Sequence, residues 1–222
     1  MVLSASAQIG IKGGIGISDI AFLKDGQTPY LGYEINALEH RIPMFTFEVG
    51  TFGTIELWKR IEFQPELLFA RQGLNYSTKY IYDDITYKIN ISYLKMPLLL
   101  KYKISTKKKI HSALFIGPYF ACKLKAVRIA EVESEREKTI ISNVKNIDFG
   151  LVTGYSVDFN LFSRKMLFDL RCSYGLMNMM NTIAGYIPSY YSPSKEYARN
   201  VSITLTAGYR FINSWSQRTA KP

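Results

Sequence analysis

Apolar and polar residues alternate with a period of two over about eight stretches of the chain. That period belongs to strands with one face in an apolar medium. In the last stretch Val201, Ile203, Leu205, Ala207, Tyr209 and Phe211 share one face, and Ser202, Thr204, Thr206, Gly208 and Arg210 share the other. Leu94, Met96, Leu98, Leu100 and Tyr102 alternate with Tyr93, Lys95, Pro97, Leu99 and Lys101. Phe149, Leu151, Tyr155, Val157 and Phe159 alternate with Gly150, Gly154, Ser156 and Asp158. Phe168, Leu170, Cys172, Tyr174 and Leu176 alternate with Asp169, Arg171, Ser173 and Gly175. Further strands read at about 8–19, 43–55, 60–74 and 109–126. Helical periodicity is absent, and the segment 129–139 (IAEVESEREKT) is the one candidate for a short charged helix, within a loop.

The connectors alternate in length. Short turns fall at about 56–59, 105–108 and 160–164, and long linkers at about 20–42, 75–85, 127–146 and 178–198. In an up-and-down meander the two kinds must lie at opposite ends, which is the pattern of an outer-membrane barrel. An even strand count also returns both termini to the short-turn end. The expected fold is therefore all-β: an eight-stranded antiparallel up-and-down transmembrane β-barrel. Its domain runs over 8–212. Residues 1–7 contain Ala5 and Ala7 in the small-residue pattern that precedes a signal-peptidase cut, and read as the remnant of a secretory signal peptide. Residues 213–222 read as a periplasmic tail.

Composition sharpens this reading. Hydrophobic residues make up 47% and charged residues 21%, which excludes a disordered chain. No apolar run reaches the roughly 18–20 residues of a spanning helix, so a helical membrane protein is excluded and a barrel is not. Sixteen Tyr, 13 Phe and 15 Gly favour strands and turns. The two cysteines, Cys122 and Cys172, are too few for a disulfide framework, and both are expected to face outward without pairing. A soluble barrel would turn its apolar face inward, but then rows of Phe, Leu, Ile and Tyr would leave no polar exterior. The apolar face is therefore expected to meet lipid, and the Gly-, Ser- and Thr-rich face to line the lumen.

The net charge of +10 raises the question of an acidic partner. Its basic residues gather at the short turns: Lys59 and Arg60, then Lys107, Lys108 and Lys109, then Arg164 and Lys165, with Arg218 and Lys221 in the tail. Spread over separate turns, they suit anionic lipid headgroups, and no nucleic-acid partner is expected. The expected partners are outer-membrane lipid and other envelope or secretion proteins, with the barrel itself a monomer.

No catalytic, cofactor-binding or metal-ligating set is expected. His40, placed in a long loop, and His111, beside a lysine turn, have no partners at catalytic or metal-ligand spacing and read as solvated or interfacial. Gly13, Gly14 and Gly16 lack the Lys-Ser/Thr and the helix of a phosphate loop, and read as a lumen-facing glycine row. Asp83 and Asp84, in a Tyr-rich loop, lack a calcium-ligand pattern. The one constellation is a lumen charge cluster. By alternation Lys12, Glu48, Glu62, Glu66, Lys95, Lys101, Asp158, Asp169, Arg171 and Arg210 point inward, five acidic and five basic. Unpaired, they would be very costly to bury, so an ion-paired plug is expected, with Glu66 and Lys95 on adjacent strands as one pair.

Several segments resemble the PorT-like outer-membrane β-barrel proteins, which are small eight-stranded barrels. FEVGTFGTIELWKRIEFQPELLFARQG (47–73) is similar to that family's second hairpin, with a short turn and then Gln64-Pro65-Glu66-Leu67-Leu68 ending in Gly73. GIKGGIGISDI (10–20), YLKMPLLLKY (93–102), GPYFACKL (117–124), FDLRCSYGL (168–176) and TLTAGYRF (204–211) resemble its other strands. The resemblance implies a Gram-negative outer membrane, a single eight-stranded barrel and, for some members, a part in protein secretion. The even strand count puts the termini in the periplasm. The leading expectation is a structural or interaction role with a side-chain-plugged lumen and long extracellular loops; the alternatives are an accessory role in protein secretion and a narrow small-solute pore.

Overall fold

A computed structural model describes residues 7–24, 39–79, 84–107, 110–132, 135–142, 144–161, 164–179 and 196–211. Nine strands run through them: β1 (Ala7–Lys24), β2 (Glu39–Trp58), β3 (Ile61–Lys79), β4 (Asp84–Lys107), β5 (Ile110–Val132), β6 (Glu135–Ile140), β7 (Ile147–Leu161), β8 (Arg164–Gly175) and β9 (Glu196–Arg210). Eight of them form the wall. Each is antiparallel to the next in chain order, β5 lies beside β7, and β9 returns to β1 to close the sheet. The fold is thus the closed eight-stranded antiparallel barrel that the alternation predicts. The described ends of the wall meet the short-turn end, where Ala7 lies opposite Ile55 and Arg210 opposite Lys165. Residues 1–6 of the expected signal remnant, the tail 213–222, Asp83, Lys108 and Lys109 lie outside the described residues.

Period-two geometry sends neighbouring side chains to opposite faces, and closure makes one of those faces an interior. Leu205 is 55% exposed and its neighbour Thr206 is 0% exposed. The same inversion holds for Ile11, Ile15 and Ile17 on β1, and for Leu114, Ile116 and Phe120 on β5, all exposed. An apolar band around a closed barrel is the surface of a protein solvated by lipid. Aromatic rings gather toward its short-turn edge. Phe159 stacks on Phe168 with centroids 5.5 Å apart, and Tyr209 meets Phe211 edge-on at 5.2 Å. Cys122 and Cys172 are exposed and free. They flank β7 opposite Ile147 and Thr153, which at about 3.4 Å per residue sets them about 20 Å apart along the strand direction.

The structure departs from the sequence reading beyond the apolar band. The segment 129–139 is not a helix. Val127–Val132 continue β5, paired with β4 on one side and β6 on the other. Strand pairing on both sides takes up backbone groups that a short, marginal helix would have to satisfy alone. Val127 and Ile129 are buried, whereas Arg136 to Ile140 of β6 are exposed. The segment 75–85 is mostly ladder as well, since β3 and β4 pair from Asn75↔Lys88 to Lys79↔Asp84. Its Tyr, Thr and Ile residues suit strands, and its polar residues made it look like a loop. His40 lies within β2, opposite Ser77, rather than in a linker. Of the expected glycine row, Gly14 and Gly16 share the inward parity of Lys12, and Gly13 faces out. A Cβ on Gly13 would meet nothing closer than 3.7 Å, whereas one on Gly16 would fall 2.0 Å from the Ile203 carbonyl oxygen.

The face assignment predicts unequal tolerance of two adjacent changes on β9. Leu205→Arg should cost about 2–4 kcal/mol if the residue lies near the bilayer midplane. Thr204→Ser, which keeps the inward hydroxyl, should be close to neutral. Equilibrium unfolding in lipid vesicles reads both, and equal losses would reverse the assignment of inside and outside.

Candidate functional site

An eight-stranded barrel has an interior just wide enough for side chains. Here the wall makes room for large ones by placing glycines beside them. A Cβ on Gly10 would lie 2.5 Å from the Phe52 ring, one on Gly154 2.5 Å from the Phe115 ring, and one on Gly150 2.5 Å from the Tyr119 ring. Each inward ring thus occupies the space over an inward glycine of a neighbouring strand. Phe52, Phe115 and Tyr119 are at most 2% exposed.

The middle of the lumen holds a knot of ions. Lys12 Nζ on β1 lies 2.8 Å from Glu66 Oε1 on β3 and 2.6 Å from Asp169 Oδ2 on β8. Arg171 Nη2 reaches Glu66 Oε1 at 2.7 Å and Asp169 Oδ2 at 3.3 Å, and its Nη1 reaches Glu48 Oε1 on β2 at 3.2 Å. Lys101 Nζ on β4 lies 3.4 Å from Asp169 Oδ1. Neutral donors complete the shell: Ser156 Oγ donates to Asp169 Oδ1 at 2.6 Å and Gln64 Nε2 to Glu66 Oε1 at 2.5 Å. Fully buried ions cost several kcal/mol each to desolvate, and a network that gives each carboxylate several donors offsets that cost.

Of the ten residues expected in the lumen cluster, nine are buried: Lys12, Glu48, Glu62, Glu66, Lys95, Lys101, Asp169, Arg171 and Arg210. They do not form one cluster. Lys12, Glu48, Glu66, Lys101, Asp169 and Arg171 make the central knot. Glu62, Asp158 and Arg210 belong to a separate group at the short-turn mouth, where Arg210 Nη2 lies 2.8 Å from Asp158 Oδ2 and 4.0 Å from Glu62 Oε2. Lys103 joins them, 2.8 Å from Glu62 and 3.1 Å from Glu56. Asp158 is half-buried.

The expected pair of Glu66 with Lys95 is not formed. Register puts Leu68, not Glu66, opposite Lys95. Lys95 Nζ instead donates to Ser173 Oγ at 3.1 Å and sits 4.1 Å from the centroid of the Tyr119 ring. Sequence reasoning also missed Asp148, buried at 2% exposure. Asp148 Oδ2 accepts from the Tyr119 hydroxyl at 3.0 Å and from Asn200 Nδ2 at 2.8 Å, and Asn200 also donates to the Tyr93 hydroxyl at 3.1 Å. Inward parity from Gly150 pointed to it, but the strand read as starting at Phe149 stopped one residue short.

Above this layer the interior is apolar. Ile20, Leu74, Ile91, Ala126, Val144, Met179 and Ala198 pack together. Val144 and Met179 come from segments that lie outside the wall strands and turn into the lumen. They are tied there by Lys145 N–H to the Met179 carbonyl at 2.7 Å and Met179 N–H to the Ala198 carbonyl at 2.9 Å. His111, expected to be solvated or interfacial, is half-buried at the mouth, opposite Asp158, and its Nδ1 is buried. Among the described residues no group of three metal-ligating side chains occurs.

A model of the outer membrane protein β-barrel domain matches residues 4–181. No curated protein matches the chain. Among solved structures, the chain is similar to Ail, the attachment invasion locus protein of Yersinia pestis, at a TM-score of 0.38 and 13% identity over 93% of this chain and 99% of that one. OprG of Pseudomonas aeruginosa aligns at a TM-score of 0.49 and 14% identity over 94% and 98%. Neisserial surface protein A aligns at 0.41 and 11% over 93% and 99%.

The geometry separates two carboxylates that look alike in sequence. Glu66→Gln should leave Lys12 and Arg171 short of a counter-charge in a dry site and cost about 3–5 kcal/mol. Glu56→Gln, at a side chain 46% exposed, should cost no more than about 1 kcal/mol. Urea unfolding of the two variants in the same micelles measures the contrast, and equal losses would mean that water reaches the central knot.

Proposed function

The chain belongs to the outer membrane protein β-barrel domain family, and on that premise we propose that it is a plugged barrel that works through its ends rather than as a pore. Its site is the bacterial outer membrane. We place its short-turn end in the periplasm with both termini, and its long-loop end outside the cell. The observation that carries the reading is the occupied lumen. A fully buried ion knot, a hydrogen-bonded layer of Tyr119, Asp148, Asn200 and Tyr93, and an apolar core follow one another along the axis. An ion crossing the barrel would have to break the knot and then shed its water into an apolar layer, and each step opposes conduction. What is left for function is presentation. The strands extend on the long-loop side, where β5 pairs with β6 and β6 is exposed from Arg136 to Ile140. The role is structural or interactive, without catalysis, and the barrel acts as a monomer in contact with outer-membrane lipid. The segment 47–73 and its likeness to the PorT-like proteins favour a second reading, an accessory role in protein secretion.

Two experiments test these readings. Purified protein in planar bilayers should show no stable open state, and a steady, reproducible conductance would replace the plug with a small-solute pore. Affinity capture from detergent-solubilised envelopes should return secretion components if the second reading holds. Their absence, with other envelope proteins bound, would leave the presentation role alone.

A further inference from the structure

The short-turn mouth holds a cavity of about 170 Å³. Each of the eight wall strands contributes to its lining, from Gln8 on β1 to Arg210 on β9, so it lies on the barrel axis and not on the lipid face. At about 30 Å³ per water it has room for roughly five waters, or for one small anion with part of its hydration shell.

The lining has donors to spare. Its acids are Glu56, Glu62 and Asp158, and all three are engaged by Lys103 or Arg210. Its cations are Lys103, Lys165 and Arg210, with Lys101 already held by Asp169 of the central knot, so the mouth's own acids and cations balance at three each. Thr54, 4% exposed, and Arg210, 6% exposed, both line the cavity. Thr54 Oγ1 and Arg210 Nε are buried without a hydrogen-bond partner among the described residues, and so is Nδ1 of His111. Arg210 Nη2 lies 2.8 Å from Asp158 Oδ2 as an ion pair, and Nε has no hydrogen-bond partner among the described residues. The register places the two unpartnered donors on either side of β1, with Gln8 opposite Thr54 and Gly10 opposite Arg210. Buried donors without acceptors are costly, and a ligand rich in acceptor oxygens relieves that cost. The unpartnered guanidinium edge of Arg210 favours a negative one.

We propose that the turn-side mouth binds a small free oxyanion of the size and chemistry of phosphate. The ligand enters along the axis from the short-turn side. Lys165, exposed at the rim opposite Arg210, draws it in, and Arg210 Nε and the Thr54 hydroxyl donate to it. The central knot closes the inner end of the site, so the anion binds without crossing.

The test titrates inorganic phosphate into the folded protein in maltoside micelles, which contain no phosphate, against a chloride background, with calorimetry and phosphorus NMR as readouts. Saturable binding is expected. Thr54→Val, which removes an unpartnered hydroxyl and leaves the fold intact, should weaken it about tenfold, as should Arg210→Lys. Thr139→Ala on β6, at the far end, should leave it unchanged. Unheated gel mobility checks that each variant is folded, and if Arg210→Lys fails to fold, Thr54→Val decides alone. No saturable binding, or binding that Thr54→Val leaves intact, overturns the site. Binding seen only with added phospholipid, and not with inorganic phosphate, assigns the mouth to a lipid headgroup and overturns the free-anion proposal.

Discussion

The middle of the lumen is only as wide as its side chains, so the charges buried there must neutralise one another. The rest of the barrel depends on this. Lys12 meets Asp169 across 157 residues of chain, and Arg171 meets Glu48 across 123. These contacts tie β1, β2, β3 and β8 through the axis, which the backbone ladder alone does not do. A register slip by one residue on any of these strands would turn its charge out to lipid and strand its partner. The ion knot thus holds the registers that create it.

The narrowness that demands neutralisation also limits what can fill the remaining space. Rings lie over glycines because no other pairing fits two strands that close together: Phe52 over Gly10, Phe115 over Gly154, Tyr119 over Gly150. Gly10, Gly150 and Gly154 are therefore packing partners of particular rings. Toward the long-loop end the interior changes character and resembles the core of a soluble protein, with Ile20, Leu74 and Ile91 packed against Val144 and Met179. The inner face carries two kinds of core in sequence, ionic and then apolar, and each seals the lumen by a different force.

The two ends divide the remaining chemistry. The long-loop end carries strand extensions, with β6 exposed from Arg136 to Ile140, and the short-turn end carries a mouth lined by three acids engaged by Lys103 and Arg210. Lys103 shows how local this is. On the sequence it is one of several basic residues near a turn. In the fold it bridges Glu56 and Glu62 at the mouth and takes no part in the knot that contains Lys101, two residues away on the same strand.

Alternation in the sequence was enough to determine the class, the strand count of the wall, the lipid face and nine of the ten buried charges, because a period of two assigns each residue to a face without knowledge of its neighbours. Short and long connectors then assigned the two ends. The same information stopped where contacts cross strands. Glu66 and Lys95 sit on neighbouring strands with opposite charge, yet bulges and register decide that Leu68 is opposite Lys95 and that Glu66 serves Lys12 and Arg171. Asp148 fell outside because a strand boundary is set by partner strands, and the hairpin of β5 with β6 replaced a charged helix for the same reason. Facing is a local property of the chain, whereas partnership is a property of the closed sheet, so only the tertiary structure could divide the inward charges into a central knot and a mouth.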